Sequence, residues 1–172
     1  PRMFGRLAGR MSGKVFQKEY LKSILIYEKE IGIMGQLDGV KVVELATYIA
    51  APSCARILAS YGADVIKVES PKGDDLRKAQ VSYFYPAETD TASYGMDVQN
   101  AGKKGLAINL KDPAGVEAFL KLLETADVFV TNNRVKALVK MGLDYETLHK
   151  KFPRLIHASI LGYGELGPLK DK

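Results

Sequence analysis

The sequence predicts an α/β fold, a Rossmann-like, doubly wound parallel sheet, and two observations carry this prediction. From Val40 onward, short runs rich in β-branched residues alternate with helical patterns of about ten residues, the lengths typical of strands and helices. Proline, glycine and aspartate stand at the joints between these segments, where helices begin and end. Such alternation favours parallel strands joined by right-handed crossovers.

The individual elements follow one another in a regular order. The strands are expected at residues 40–46, 64–69, 105–110, 127–131 and 155–161. The helices are expected at residues 52–61, 112–125, 134–141 and 145–151. Pro52 and Asp112 suit the first turns of their helices, and Gly142 suits a helix end. Residues 70–102 are polar and rich in turn formers, so they are predicted to form a long surface excursion.

The charge is unevenly distributed along the 172 residues, whose net charge is +5. Residues 1–36 contain seven Lys/Arg and three Asp/Glu, whereas residues 37–172 contain eighteen and seventeen. We therefore expect a basic N-terminal extension, residues 1–36, and one α/β domain, residues 37–172, incomplete at its C-terminus. The near-neutral domain argues against a nucleic-acid partner. The chain has no apolar run of the roughly 18 residues that a membrane span needs, so no membrane partner is expected.

Three interpretations of the basic extension stay open. Arginine and lysine recur every four residues from Arg2 to Lys18, and no acid precedes Glu19, as in a transit peptide. The same pattern fits a genuine N-terminal helix, although three glycines weaken it. In the third interpretation native translation begins at Met34, and the preceding residues are non-native.

Candidate ligand-facing residues follow the strands, where open α/β sheets bind ligands. Residues 46–52 contain no glycine, which argues against a nicotinamide or flavin dinucleotide, because backbone cannot approach a pyrophosphate closely past several Cβ atoms. Glu69 is accordingly interpreted as a solvated acid at the end of the second strand. Lys103, Lys104 and Lys111 form either a phosphate site or a solvated face, and the solvated face is favoured.

The remaining candidates lie in the second half of the predicted sheet. Residues 131–134, Thr-Asn-Asn-Arg, suit either an anion or peptide-like amide, or simple helix capping by an asparagine. No metal site is predicted, because His149 and His157 have no ligand partners at a suitable spacing. Cys54 is predicted to be a small residue at a tight helix–sheet contact. A lone cysteine also fits a reducing compartment.

A series of motifs in a fixed order resembles the class III (CaiB/BaiF) family of coenzyme A (CoA) transferases. The series begins with Leu-Asp-Gly-Val-Lys-Val-Val-Glu-Leu at residues 37–45 and Gly-Ala-Asp-Val-Ile-Lys-Val-Glu at residues 62–69. It continues with Lys103-Lys104, Asn109–Lys111, Asn132 with Arg134, Met141–Leu143 and Gly162–Gly164. Residues 46–52 and 137–148 are most similar to transferases for 2-hydroxy acids such as phenyllactate or 2-hydroxyisocaproate, which serve fermentation in anaerobic bacteria.

The resemblance implies an activity and a mechanism. An aspartate carboxylate attacks an acyl-CoA thioester, and CoA passes through an aspartyl-CoA intermediate to an incoming carboxylic acid. That aspartate is expected beyond residue 172, so no catalytic residue is expected in this chain, which should be inactive alone. CoA and acyl-CoA are substrates in such an enzyme, and no permanently bound cofactor is expected. The resemblance further implies an interlocked homodimer and a cytoplasmic enzyme.

The resemblance also assigns CoA-contacting positions. Tyr48 and Ile49 match the loop over the pantetheine and thioester, and Ser70 matches the position beside the adenine. The other matching positions are Ile108, Asn109, Leu110, Lys111, Asn132, Asn133, Arg134 and Lys140. Two departures from relatives stand out. Tyr48 and Ile49 stand where some relatives have polar residues, which indicates a bulkier, more apolar acyl group. Asn133 replaces an aromatic residue that is common at its position.

Two alternative functions stay open. An α-methylacyl-CoA racemase shares the fold implied by the resemblance but uses proton transfer, and its acid–base pair would also fall largely outside this chain. A CoA- or nucleotide-binding module without catalysis is the non-enzymatic alternative. A glycine-flanked aspartate after residue 172 would favour the transferase, and a stop codon would favour the module.

Overall fold

The computed structural model describes residues 35–77 and 94–170, and its centre is a sheet of five parallel strands. The strands are β1 (Lys41–Leu45), β2 (Asp64–Glu69), β3 (Lys104–Ala107), β4 (Val128–Thr131) and β5 (Ile156–Ser159). Their spatial order is β3-β2-β1-β4-β5, with every neighbouring pair parallel. The predicted parallel α/β fold is therefore confirmed. The order in which strands are added reverses between β1 and β4. Such a switch point is where sheets of this class bind ligands.

The helices lie between the strands and begin and end at the residues that local chemistry favours. They are α1 (Ala50–Ser60), α2 (Tyr94–Asn100), α3 (Pro113–Leu123), α4 (Val135–Met141) and α5 (Tyr145–Lys151). Asp112 caps α3 by accepting the Ala114 N–H at 2.9 Å, as predicted. Gly142 ends α4 with φ 66°, a left-handed conformation that glycine adopts without steric cost.

Apolar side chains cover both faces of the sheet because successive strand residues point to opposite sides. Val42 belongs to the core under α1, where Ala51 and Ala55 are fully buried. Val43 belongs to the core on the other face, together with Phe119, Leu123, Phe129, Leu138 and Leu148. Cys54 packs against the α1 core, which confirms its prediction as a small residue at a tight helix–sheet contact.

The third strand is shorter than predicted, because residues 108–110 leave it in a turn. The Ile108 N–H still donates to the Glu69 carbonyl oxygen at 2.9 Å. Asn109 Oδ1 then accepts the Lys111 N–H at 3.2 Å, and the Asn109 carbonyl oxygen accepts the Asp112 N–H at 3.1 Å. The asparagine thus draws the backbone away from β2 and towards the start of α3.

The predicted surface excursion at residues 70–102 is largely exposed in the part that the structure describes, but buried residues anchor it to the core. Asp74, Leu76 and Met96 are buried, a 3₁₀ turn forms at Asp75–Arg77, and α2 packs against that turn and against α1. The polar composition gave no sign of this anchoring, because Asp74 is buried through charge pairing. Residues 78–93 lie outside the described residues.

Within the described residues β3 is an outer strand of the sheet, and all four of its residues are exposed. Lys104, its first residue, forms an exposed ion pair of 2.7 Å with Asp64 of β2. Within the described ranges, no helix is long and apolar enough to cross a membrane. The predictions for residues 1–34 lie outside the described residues, so the domain division at residue 36 stays a prediction.

Candidate functional site

A cleft of about 540 Å³ opens where β1, β4 and β5 end. It lies beside the position at which the strand order reverses, as expected for a ligand site in this class of sheet. Its lining includes three cationic residues and no acidic one: Ala50, Asn132, Arg134, Val135, Lys136, Ile160, Leu161, Gly162, Tyr163, Gly164 and Lys170. Such a lining suits an anion with phosphate or carboxylate groups.

Asn132 joins the cleft to the loop between β1 and α1. Its Oδ1 accepts the Thr47 N–H at 3.0 Å, and its Nδ2 donates to the Thr47 carbonyl oxygen at 2.8 Å. The amide side chain of Asn132 therefore pairs with both backbone groups of Thr47, as a residue of a neighbouring strand would. The N-cap of α4 is Arg134, and no side chain caps this helix, so the interpretation of Asn132 or Asn133 as a simple helix cap is wrong.

Tyr48 has φ 64°, and it is the one non-glycine residue with a positive φ in the part of the chain that the structure describes. This region costs an L-residue about 1–2 kcal/mol, and such strain persists only where surrounding contacts impose it. The side chains of Tyr48 and Ile49 are 50% and 49% exposed. An apolar pair is thus presented to solvent by a strained loop beside the cleft.

We expect the free energy of unfolding of the Tyr48→Gly variant to exceed that of the Tyr61→Gly variant by about 1–2 kcal/mol. The reason is that glycine relieves left-handed strain at residue 48 and not at residue 61. Tyr61 is a matched control, since it is 49% exposed and has φ −91°. Urea denaturation of the two variants measures the difference. Equal losses of unfolding free energy would show that Tyr48 stores no strain.

A cluster of four fully buried charges lies beneath this loop. Lys67 Nζ contacts Glu44 Oε1 at 2.8 Å, the Ala46 carbonyl oxygen at 2.9 Å and Asp74 Oδ2 at 3.0 Å. Lys103 Nζ contacts Glu44 Oε2 at 2.6 Å and the Pro52 carbonyl oxygen at 2.8 Å. Two lysines and two carboxylates make the cluster neutral, which is what burial of charge requires.

The interpretation of the three lysines as a solvated face is wrong for Lys103. Its side chain is buried against Glu44. Burial lowers the pKa of Lys103, and its hydrogen bond to the Glu44 carboxylate opposes that effect. Lys104 and Lys111 are exposed. Of the three lysines, Lys103 is therefore part of the buried charge cluster and the other two lie on the surface.

Glu69 is likewise a structural residue and not the solvated acid that its position predicts. Its carboxylate accepts the Asp74 N–H at 2.9 Å and pairs with Arg77 at 2.7 Å. Burial raises the pKa of Glu69, but the hydrogen bond and charge of Arg77 outweigh burial and hold the pKa below its ordinary value. Glu69 therefore fixes the turn that delivers Asp74 to the charge cluster.

The predicted CoA-contacting residues fall into two groups along the carboxyl edge of the sheet. Asn132 and Arg134 line the cleft, with Tyr48 and Ile49 in the adjoining loop. Ser70 and residues 108–111 follow β2 and β3, on the other side of β1 from the cleft. Lys140 is exposed on α4.

Asn133, Ile108 and Leu110 also have internal partners. Asn133 Nδ2 donates to the Leu45 carbonyl oxygen at 2.9 Å and to Thr131 Oγ1 at 3.2 Å. Ile108 and Leu110 pack against the core beneath α3. These side chains therefore stabilise the loops that follow β3 and β4. A contribution of the three residues to CoA binding stays a prediction.

Sequence reasoning missed the charge cluster and part of the cleft lining. Glu44 and Lys67 each lie inside an apolar strand, a signal that was available in the sequence. The β1–β2 register then places them opposite each other. Lys136 and Lys170 carried no local signal. No group of three or more potential metal ligands occurs within residues 35–77 and 94–170.

The fold and site define an α/β protein with a cationic cleft at the switch point of its sheet. The chain belongs to CoA-transferase family III, whose sequence profile matches residues 37–172, and the resemblance given by the motifs is thus confirmed. It is 52% identical over 136 residues to the (R)-2-hydroxy-4-methylpentanoate CoA-transferase of Clostridioides difficile, covering 79% of this chain and 34% of that protein.

Two further proteins support this assignment. The cinnamoyl-CoA:phenyllactate CoA-transferase of Clostridium sporogenes is 51% identical, covering 78% of this chain and 32% of that protein. The crystal structure of a CaiB/BaiF family protein from Brucella suis superposes with a TM-score of 0.72 at 38% identity, covering 80% of this chain and 36% of that one. The chain thus spans about a third of the length of the relatives it matches.

Proposed function

We propose that the protein containing this chain transfers CoA between an acyl-CoA thioester and a carboxylic acid, and that the cleft binds part of the CoA. The observation that carries this proposal is the cationic lining at the switch point, with Arg134, Lys136 and Lys170 and no acid. CoA carries three phosphate groups, and arginine and lysine are the side chains best suited to phosphate oxygens. Family membership supports the same ligand.

The acid that accepts CoA is proposed to be an apolar 2-hydroxy acid. Two relatives at 51–52% identity are named for 2-hydroxy-4-methylpentanoate and for phenyllactate. Both acids carry a bulky apolar group, which the half-exposed Tyr48 and Ile49 suit. Burial of such a group against apolar side chains contributes about 25 cal/mol for each Å² removed from water.

The transfer is proposed to proceed through an aspartyl-CoA intermediate whose carboxylate lies outside residues 1–172. Asp74 is the aspartate that contacts the Tyr48 loop, but it is buried and paired with Lys67. A carboxylate in that position is neither accessible nor free to form an anhydride with a thioester carbonyl. A cytoplasmic homodimer, as the family resemblance implies, completes the proposal.

We expect Arg134→Gln to weaken CoA binding about tenfold, because a hydrogen bond to a charged group contributes about 1.5–3 kcal/mol. Arg154→Gln is the matched control: Arg154 is exposed and precedes β5, at the opposite end of that strand from the cleft. Isothermal titration of the 172-residue chain with CoA, and separately with pantetheine, measures the effect.

Loss of affinity for CoA but not for pantetheine would place Arg134 at a phosphate. Equal affinity of the Arg134 and Arg154 variants for CoA would contradict the proposed site. A wild-type chain without measurable CoA binding would contradict the proposed function in this chain.

A further inference from the structure

The loop that presents Tyr48 is held from two sides. Asn132 fixes the peptide groups of Thr47 from the β4 side, through the two hydrogen bonds described above. From the β2 side, Asp74 Oδ1 accepts the Tyr48 N–H at 3.3 Å and the Leu76 N–H at 2.9 Å. The residue with the strained φ is therefore the one whose own N–H meets a buried carboxylate.

The second oxygen of Asp74 forms an ion pair, not a hydrogen bond. Asp74 Oδ2 lies 3.0 Å from Lys67 Nζ, which in turn contacts Glu44. Both side chains of this ion pair are buried, so the orientation of the carboxylate is fixed from two directions. The Tyr48 N–H therefore meets an acceptor oxygen that cannot easily turn away, and this contact helps to hold the left-handed tyrosine.

We propose that Asp74 is a positioning residue for substrate choice, an inference that rests on the proposed function. By holding Tyr48 in its left-handed conformation, Asp74 fixes the half-exposed Tyr48 and Ile49 side chains as an apolar surface for the acyl group of the thioester. Strain that surrounding contacts impose on a loop beside a ligand cleft is the usual sign of pre-organisation. Without the anchor, the loop relaxes and the apolar surface is no longer presented in one geometry.

Two double variants separate this role from a general effect on stability. Lys67→Met with Asp74→Asn keeps an acceptor oxygen for the Tyr48 N–H, whereas Lys67→Met with Asp74→Ala removes it. Both pairs delete one positive and one negative charge, so Glu44 and Lys103 remain as a neutral pair in each. Replacing a buried ion pair with uncharged groups is tolerated far better than removing one partner, so both proteins are expected to fold.

The first measurement is the three-bond HN–Hα coupling of Tyr48 in the 172-residue chain, which reports φ and needs no ligand. We expect the wild-type coupling in the Asp74→Asn pair and a changed coupling in the Asp74→Ala pair. An unchanged coupling in the Asp74→Ala pair would overturn the positioning role, whether or not the chain binds CoA.

The second measurement compares the affinities for 4-methylpentanoyl-CoA and succinyl-CoA, which share the CoA moiety and differ in the acyl group. We expect the wild-type chain to prefer the apolar thioester, and the Asp74→Ala pair to lose about tenfold of that preference, the scale of discrimination by an apolar pocket. The Asp74→Asn pair should retain it.

Equal preference in the two double variants would overturn the role in substrate choice. A wild-type chain that binds neither thioester would instead contradict the proposed function, and it would refute the acyl-group role with it. A general loss of stability would lower both affinities together and leave their ratio unchanged, which also counts against the proposal.

Discussion

Glu44→Gln is expected to lower the free energy of unfolding by about 3–5 kcal/mol, the cost of removing one partner from a buried ion pair. The glutamine occupies nearly the same volume, so packing is retained. Lys67 and Lys103 both contact the Glu44 carboxylate, and after the change Asp74 is the one remaining carboxylate of the cluster. Because domains of this size unfold with about 5–15 kcal/mol, this single change removes a large share of the stability.

Asp64→Asn provides the matched control for Glu44. The Lys104–Asp64 pair has nearly the same length, 2.7 Å, as the Lys103–Glu44 pair, 2.6 Å, but both of its side chains are exposed. Exposed pairs contribute about 0–1 kcal/mol, so the control should change stability little. Chemical denaturation of both variants at neutral pH is the measurement. Similar, small losses in the two variants would mean that Glu44 is not an essential anion of the cluster.

Gly115→Ala is expected to cost about 3 kcal/mol or more, because α3 approaches the loop after β3 too closely for a side chain at this position. A Cβ on residue 115 would overlap the Asn109 carbonyl oxygen and lie 2.8 Å from its carbonyl carbon. The obstacle is backbone, so either the helix or the loop must move. The loop contains Asn109 and Lys111, two of the residues predicted to contact CoA.

Gly105→Ala is the control for Gly115. A Cβ at residue 105 would meet no atom within 4 Å, and the residue does not have a positive φ. Alanine there should be neutral or slightly stabilising, since glycine weakens a strand. Thermal unfolding of the two variants tests the pair. If Gly115→Ala melted at the wild-type temperature, the close approach of α3 to Asn109 would be refuted.

The sequence was sufficient for the fold because the decisive signals are local. Apolar runs, Asp112 before α3 and Gly142 after α4 each specify an element from its own neighbours. The family motifs added Asn132 and Arg134, which line the cleft. Element ends were less predictable, as the turn at Asn109 shows, because a short polar side chain competes there with strand pairing.

The candidate site depends on contacts that local patterns cannot reveal. Lys103 is 59 residues from Glu44, and Asn132 is 85 residues from Thr47. Lys103 and Lys104 are adjacent and share the same local sequence, so the buried lysine could not be told apart from the exposed one. The one usable hint was a charged residue inside each of two central strands, since isolated charges are rarely buried without a partner.

The exposed outer strand β3 has a consequence for the addition of further strands at this side of the sheet. An uncovered outer strand is a template on which another chain can add a strand and begin to aggregate. Lys104 stands at the start of that strand with its ammonium group in solvent, held by Asp64. A further strand docking there would have to strip water from this charge, so the lysine opposes strand addition at this edge.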